Sequence, residues 1–268
     1  MVKLQLKDSK HWKSLIEAIN AVVTETNIYI DAEAMTLTAM DSVRVAMMSM
    51  KIMKDDFEVF ELPNPVPAEF RLKIGINLTD LLKIIKRADS NDIITLEIAN
   101  DTADKLIHLS MLKEGTTRAK KFSLRMIDID EDKIPFDQLM SIPLSDRFSI
   151  NTEFLAEAFA DSLIYTDGIT VIANDKGIML KNEGAVGAFE YELEKNDLIY
   201  AELPNQCENT FTIVKLQSLL KITSVSPMVE ISFDNEAPMR WTYKLYQNSS
   251  VVFFIAPRVE STDDVYAE

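Results

Sequence analysis

Leu78-Thr79-Asp80-Leu81-Leu82-Lys83-Ile84 returns later in the chain as Leu216-Gln217-Ser218-Leu219-Leu220-Lys221-Ile222. Each copy leads into the same kind of segment, Asp92-Ile93-Ile94-Thr95-Leu96-Glu97-Ile98 after the first and Pro227-Met228-Val229-Glu230-Ile231-Ser232-Phe233 after the second. Apolar residues at helical spacing followed by a β-branched run predict a helix and then a strand. A second echo lies upstream, where Ile28-Tyr29-Ile30 to Leu37 matches Ile169-Thr170-Val171 to Leu180. The offsets, about 138 and about 143 residues, preserve order and spacing, and self-similarity at so long a period means two copies of one domain, not a short-period solenoid.

Composition agrees. A chain of 268 residues with 47% apolar content can bury two cores of ordinary size. With 26% charged and 8% aromatic residues it has the composition of a soluble globular protein. Val2, Leu4 and Leu6 begin a strand-like alternation with no signal-peptide pattern, and no apolar run nears the roughly 18 residues of a spanning helix. A lone Cys207 cannot form an internal disulfide and points to a reducing interior.

Four helices are expected, over about 9–23, 77–88, 152–164 and 215–223, with Asp8 or Ser9 capping the first. Between them the period falls to two, as in Phe70, Leu72, Ile74, Ile76 and in Phe189, Tyr191, Leu193. Strands outnumber helices, so the class is α+β with antiparallel sheets. The acidic stretch 127–137, ending near Pro135, falls midway between the repeats and reads as a connector. The expected plan is therefore a first domain over 1–126, the connector, a second domain over 138–259 and an acidic tail over 260–268.

A search for catalytic chemistry returns nothing. His11 lies in the opening turn of the first helix and His108 inside an alternating strand, both read as satisfied or solvated. One cysteine and two scattered histidines cannot make a zinc site. Acidic pairs such as Asp55-Asp56 fall at turns, where solvated charge is the ordinary role. No phosphate-loop, dinucleotide or hydrolase pattern is present. No catalytic residue, metal or cofactor is expected, and an acidic-site hydrolase would need convergent ligands that the sequence does not supply.

Against 43 acids and 28 bases, net charge −15, basic residues still gather on the outer faces of equivalent helices. Lys10 and Lys13 lie on the first, Lys83, Lys86 and Arg87 on the second, Lys215 and Lys221 on the fourth. Together they suggest one surface meeting a polyanion. The third helix dissents with Glu153, Glu157 and Asp161.

Those residues, with Leu37-Thr38-Ala39-Met40-Asp41-Ser42, Gly75-Ile76-Asn77-Leu78-Thr79, Met126-Ile127-Asp128-Ile129-Asp130 and Phe254-Ile255-Ala256-Pro257-Arg258-Val259, give a chain that resembles the sliding clamps of the proliferating cell nuclear antigen (PCNA) family. The resemblance implies a ring of three two-domain subunits around double-stranded DNA, helices lining the hole and sheets outside, a non-enzymatic processivity factor for replication and repair. Lys13, Lys83, Lys86 and Lys221 fall on positions that face the hole in the family. Glu157 and Asp161 depart from its basic pattern.

The resemblance also implies a subunit joint between a strand at about Arg118–Arg125, carrying Lys121, Ser123 and Arg125, and one at about Ala185–Glu194, carrying Glu190, Glu192 and Glu194. Opposite charges across such a pair favour it by roughly 0.2–1 kcal/mol each. A groove for short motif peptides of DNA polymerase, clamp loader, flap endonuclease and ligase is implied at Met40, Arg44, Met47, Asp128, Ile129, Ile134, Pro238, Ala256, Pro257 and Val259. A subunit of a heterotrimeric clamp, or an interaction scaffold that never encircles DNA, are the alternatives.

Overall fold

The computed structural model describes residues 1–6, 8–99, 105–131 and 134–258. Val259, Asp132 and the expected tail lie outside the described residues. Four helices form where the periodicity places them, and three are capped by side chains. Asp8 accepts the Lys10 N–H at 2.7 Å to start α1 (Ser9–Val22), and Asn77 accepts the Asp80 N–H at 3.1 Å to start α2 (Leu78–Ile85). Asn151 accepts the Glu153 N–H at 3.1 Å to start α4 (Thr152–Ser162). Each cap satisfies a donor that the first helical turn leaves unpaired. The fourth expected helix is α5 (Ile213–Leu219), continued by a 3-10 turn over Leu220–Ile222.

The duplication is complete in element order. The first copy runs β1 (Val2–Leu6), α1, β2 (Glu25–Asp31), β3 (Ala34–Met40), β4 (Ala46–Met53), β5 (Phe57–Glu61), β6 (Arg71–Asn77), α2, β7 (Asp92–Ile98), β8 (Leu106–Lys113) and β9 (Ala119–Arg125). The second repeats it as β10 (Asp146–Asn151), α4, β11 (Gly168–Ala173), β12 (Gly177–Gly184), β13 (Gly187–Glu194), β14 (Tyr200–Glu202), β15 (Cys207–Thr212), α5, β16 (Met228–Phe233), β17 (Met239–Lys244) and β18 (Ser250–Ile255). Every strand pairing is antiparallel, and the sheet orders correspond element by element: β5-β1-β7-β8-β9 matches β14-β10-β16-β17-β18, and β4-β3-β2-β6 matches β13-β12-β11-β15.

The halves are joined edge to edge. β18 pairs with β4 from Ser250↔Lys51 to Ile255↔Ala46, fusing two of these sheets into one of nine strands. β9 and β13 remain as sheet edges. The helices cover the sheets as one layer in which α2 packs on α1, α1 on α5, and α5 on α4. Trp12, Leu15, Ile16 and Ile19 of α1 and Leu78, Leu81 and Ile85 of α2 are buried against the sheets. Each contributes about 1.5–3 kcal/mol of transfer free energy, and their burial forces the polar faces of these helices outward.

Two features depart from expectation. A short helix, α3 (Phe136–Met140), crosses the boundary placed between connector and second domain. Its Phe136 meets Phe254 edge-on at 6.3 Å, and a single apolar turn gives no periodicity to read. Asp56 is not a solvated turn residue: it is 7% exposed and accepts from Ser249 Oγ at 2.5 Å, tying the first half to the β17–β18 turn. The β4–β18 ladder, which makes the two halves one sheet, has no local sequence signature.

Candidate functional site

Lys10, Lys13, Lys83, Lys86, Arg87 and Lys221 are all exposed on the helix layer. Two carry internal partners. Lys83 reaches Asp80 at 2.8 Å and Lys86 reaches Glu17 of α1 at 3.1 Å. Lys10, Lys13, Arg87 and Lys221 have no acidic partner within ion-pair distance among the described residues. The acidic face of α4 stands at one end of the same layer, with Glu153, Glu157 and Asp161 exposed.

Lys215 departs from expectation. Its Nζ lies 2.7 Å from Asp41 Oδ2, so its charge is spent on an ion pair between the halves. Asp41 is 6% exposed, and its Oδ1 accepts the N–H groups of Val45 and Ala46 at 2.8 and 3.0 Å. That chelation holds the β3–β4 turn and with it Arg44, whose φ of 57° is a left-handed conformation that side chains with a Cβ disfavour. Burial pushes the Asp41 carboxyl up, but the bonds from Lys215 and from the Ala46 and Val45 amides outweigh it and hold the group below its ordinary value of 3.8. A depressed folded-state value means the ionised form favours the fold. That contribution is complete above the ordinary range and is lost as pH falls through the folded value. Asp41→Asn should cost about 1–2 kcal/mol at neutral pH, with the gap to the parent narrowing as thermal melts are taken to pH below the ordinary carboxylate range. An equal gap at every pH would count against the assignment.

The two strands expected at the subunit joint are both sheet edges. On β9, Lys121, Ser123 and Arg125 are exposed while Phe122 and Leu124 turn toward the core, pairing with Leu109 and Ile107 of β8. His108 is satisfied as expected, its Nδ1 lying 2.9 Å from Ser123 Oγ. His11 is half-buried, Nδ1 to Tyr246 Oη at 2.6 Å, and burial lowers its pKa. On β13, Glu190, Glu192 and Glu194 are exposed on one face, and Phe189 and Tyr191 stack on the other with centroids 6.4 Å apart. Cys207 is buried, which together with nearby Asp146 pushes its thiol up to about 12 and leaves it inert.

Several residues expected at a peptide groove come together at one end of the neighbouring strands β17, β18, β4 and β3. Met40, Asp41, Arg44, Ile134, Pro135 and Leu139 line a cavity of about 670 Å³. It adjoins a second, of about 380 Å³, where Met40 and Ile134 meet Ile129, Tyr29 and Phe136. Pro238, Ala256 and Pro257 sit half-buried at the same sheet end, with the Ala256 N–H donating to Val45 O at 2.9 Å. Met47 is corrected: at 3% exposure it is packed within the protein, because it stands in the ladder between Met40 and Phe254.

The first part of the connector, 127–130, is pinned over the sheet. Ile127 N–H donates to Gly75 O at 3.0 Å, and a Cβ at Gly75 would lie 2.1 Å from Ile127 O, so glycine is required there by contact. Lys73 Nζ donates to Ile129 O at 2.8 Å, and Asn27 Nδ2 reaches the carbonyls of Ile129 and Asp130 at 3.3 Å. Asp128 does not face the groove; it pairs with Lys105 at 2.5 Å, and that bond lowers its pKa. Sequence reasoning missed Tyr29, Phe136 and Leu139, whose placement depends on this folded-back connector.

Two copies of one α+β unit, joined edge to edge under a continuous helix layer, are the architecture of the sliding-clamp class of replication protein. The chain belongs to the PCNA family: the PCNA N-terminal domain model matches residues 1–134 and the PCNA C-terminal domain model residues 143–258. It is 26% identical to the proliferating cell nuclear antigen of Chaetomium thermophilum, over 97% of this chain and 98% of that one. It is 24% identical to the DNA polymerase sliding clamp of Pyrococcus furiosus, over 96% and 98%. The crystal structure of PCNA from Thermococcus kodakaraensis shares the fold with a TM-score of 0.83 at 21% identity, covering 96% of this chain and all of that one.

Proposed function

We propose that three copies of this chain close into a ring around duplex DNA and that the ring holds polymerases and other replication and repair enzymes at their template. One observation carries this reading. The joint inside the chain has an unmade counterpart at its two ends. Phe253 pairs with Trp241 as Phe122 pairs with Leu109, which makes β9 the counterpart of β18. Met48 pairs with Ala39 as Phe189 pairs with Asn182, which makes β13 the counterpart of β4. Since β18 and β4 pair, β9 of one molecule pairs with β13 of the next by the same rule. Carried over, Val252↔Ser49 becomes Lys121↔Glu190, and Phe253↔Met48 becomes Phe122↔Phe189. The edges are complementary in charge and in apolar character, and a head-to-tail contact of this kind closes a ring. Because both edges belong to one chain, a homotrimer is favoured over a mixed ring.

The helix layer then lines the hole. Lys10, Lys13, Lys83, Arg87 and Lys221 attract phosphates without reading sequence, and the acidic exterior does no harm because topology holds the ring in place. The groove at Met40 and Ile134 takes a short apolar motif from each enzyme, with methionine adapting to different occupants. The reading has no catalytic step, and it places the protein inside the cell; no helix among the described residues is long and apolar enough to cross a membrane.

The deciding experiment is mass and topology together. The purified chain should have three times the 30.4 kDa of one subunit, remain on closed circular DNA after loading, and be lost when the circle is cut. A persistent monomer at micromolar concentration would defeat the homotrimer. Changing Lys13, Arg87 and Lys221 to Ala should leave stability within about 0.5 kcal/mol. The salt dependence of DNA association should flatten by up to roughly 0.9 in slope for each phosphate no longer neutralised. An unchanged slope would remove these residues from the hole.

A further inference from the structure

The larger cavity, walled by Met40, Arg44, Ile134, Pro135 and Leu139 with Asp41, opens near the place where the last strand runs out. The Ala256 N–H donates to Val45 O at 2.9 Å, which sets the end of β18 beside Arg44. Two residues further on, at most about 7 Å of chain, the backbone is fixed again. The Arg258 N–H donates to Thr210 O at 2.7 Å, and its guanidinium lies 2.8 Å from Asp167. Whatever follows Arg258 therefore starts from a fixed point close to the groove.

The sequence that follows is Val259-Glu260-Ser261-Thr262-Asp263-Asp264-Val265-Tyr266-Ala267-Glu268. From Glu260 on it is polar or acidic except for Val265-Tyr266-Ala267, which come directly after Asp263-Asp264. Seven residue steps separate Arg258 from Val265, up to about 23 Å of chain, enough to return to Arg44. The pattern matches the cavity, where apolar groups can meet Met40, Ile134 and Leu139 and carboxylates can meet a cation. Arg44 is exposed with no acidic side chain within ion-pair distance among the described residues, and Val43 beside it is 67% exposed. Asp41, the carboxylate in the wall, is already neutralised by Lys215. The smaller adjoining cavity suits such a segment poorly, because Glu25, Asp130, Glu131 and Asp137 line it and would repel it.

We infer that Val265 and Tyr266 of this same chain occupy the cavity at Met40, Ile134 and Leu139 when no partner does, with Asp263 and Asp264 against Arg44. This rests on the groove reading above. The tail is then a built-in competitor that each partner motif displaces, which keeps weak apolar segments from filling the groove. Tethering supplies it at an effective concentration near the millimolar range. A contact of roughly tenth-millimolar strength would then occupy the groove most of the time and weaken partner binding about tenfold.

The test uses full-length protein and an uncharged synthetic peptide with apolar anchors, its binding followed by fluorescence anisotropy. Val265→Ser with Tyr266→Ser should tighten binding about three- to tenfold. Asp263→Lys with Asp264→Lys should tighten it at low salt, and raising the salt should bring the parent toward the serine variant. A synthetic peptide of residues 259–268, added to the serine variant at millimolar concentration, should restore the parent's weaker binding. A serine variant that binds like its parent overturns the tail contact while leaving the groove intact. One that binds more weakly overturns it too, by making the tail part of the partner's own contact. If no form of the protein binds the anchor peptide, the groove reading fails and the tail contact with it.

Discussion

Phe189→Asp should leave the protein monomeric at concentrations where its parent is a ring. In the single chain Phe189 is only half-buried, stacked on Tyr191, so its loss costs the fold little. At the proposed joint it would stand opposite Phe122, and its counterpart inside the chain, Met48, is fully buried. Removing that aromatic burial forfeits about 2 kcal/mol per joint, and enclosing an unpaired carboxylate adds at least about 2 kcal/mol more. At 1.4 kcal/mol per factor of ten, assembly weakens roughly a thousandfold. Sedimentation or native mass measurement reads this directly, and melts confirm that the monomer is folded. A ring that persists would mean β13 is not the mating edge. Reversing the exposed charges is a finer probe. Lys121→Glu with Arg125→Glu should weaken assembly about tenfold, and adding Glu190→Lys should recover most of it, because Lys121 is the residue opposite Glu190.

The second large effect is expected at the groove. Ile134→Asp replaces an apolar wall beside Met40 and Phe136 with a carboxylate that an apolar motif would have to desolvate. A synthetic peptide with two or three apolar anchors should bind the parent at roughly micromolar strength, after ordering costs offset much of its burial. It should bind the variant at least about a hundredfold more weakly. Trimer mass and retention on circular DNA should not change, since the connector lies across the outer face of the sheet from the helix layer. Normal peptide binding by the variant would move the partner site elsewhere.

The fold was legible because its two strongest signals are local. Leu78–Ile84 and Leu216–Ile222 each carry a helix period, and their repetition announces the duplication without any contact needing to be known. Sheet alternation at β9 and β13 was equally readable, since charged and apolar residues separate cleanly onto two faces. What escaped depends on contacts between distant residues. Lys215 looks like any basic residue on an exposed helix face until Asp41 is brought beside it from the other half of the chain. Asp56 looks like a turn residue until Ser249 covers it, and Met47 looks like groove lining until the ladder sets it between Met40 and Phe254. α3 was missed because five residues hold too little periodicity.

The ladder between β18 and β4 and the one proposed between β9 and β13 are alike in kind but differ in how they recover from rupture. If the halves of one chain separate, the connector keeps them at an effective concentration near the millimolar range, and the joint recloses almost at once. If two chains separate at one joint of a closed ring, the other two joints do the same service. If a single chain leaves altogether, it returns only at its bulk concentration in the cell. A gate for threading a closed circle of DNA is therefore expected between chains and never within one. The lifetime of the proposed ring on a circle is then set by how rarely one joint opens and how fast the other two bring it closed.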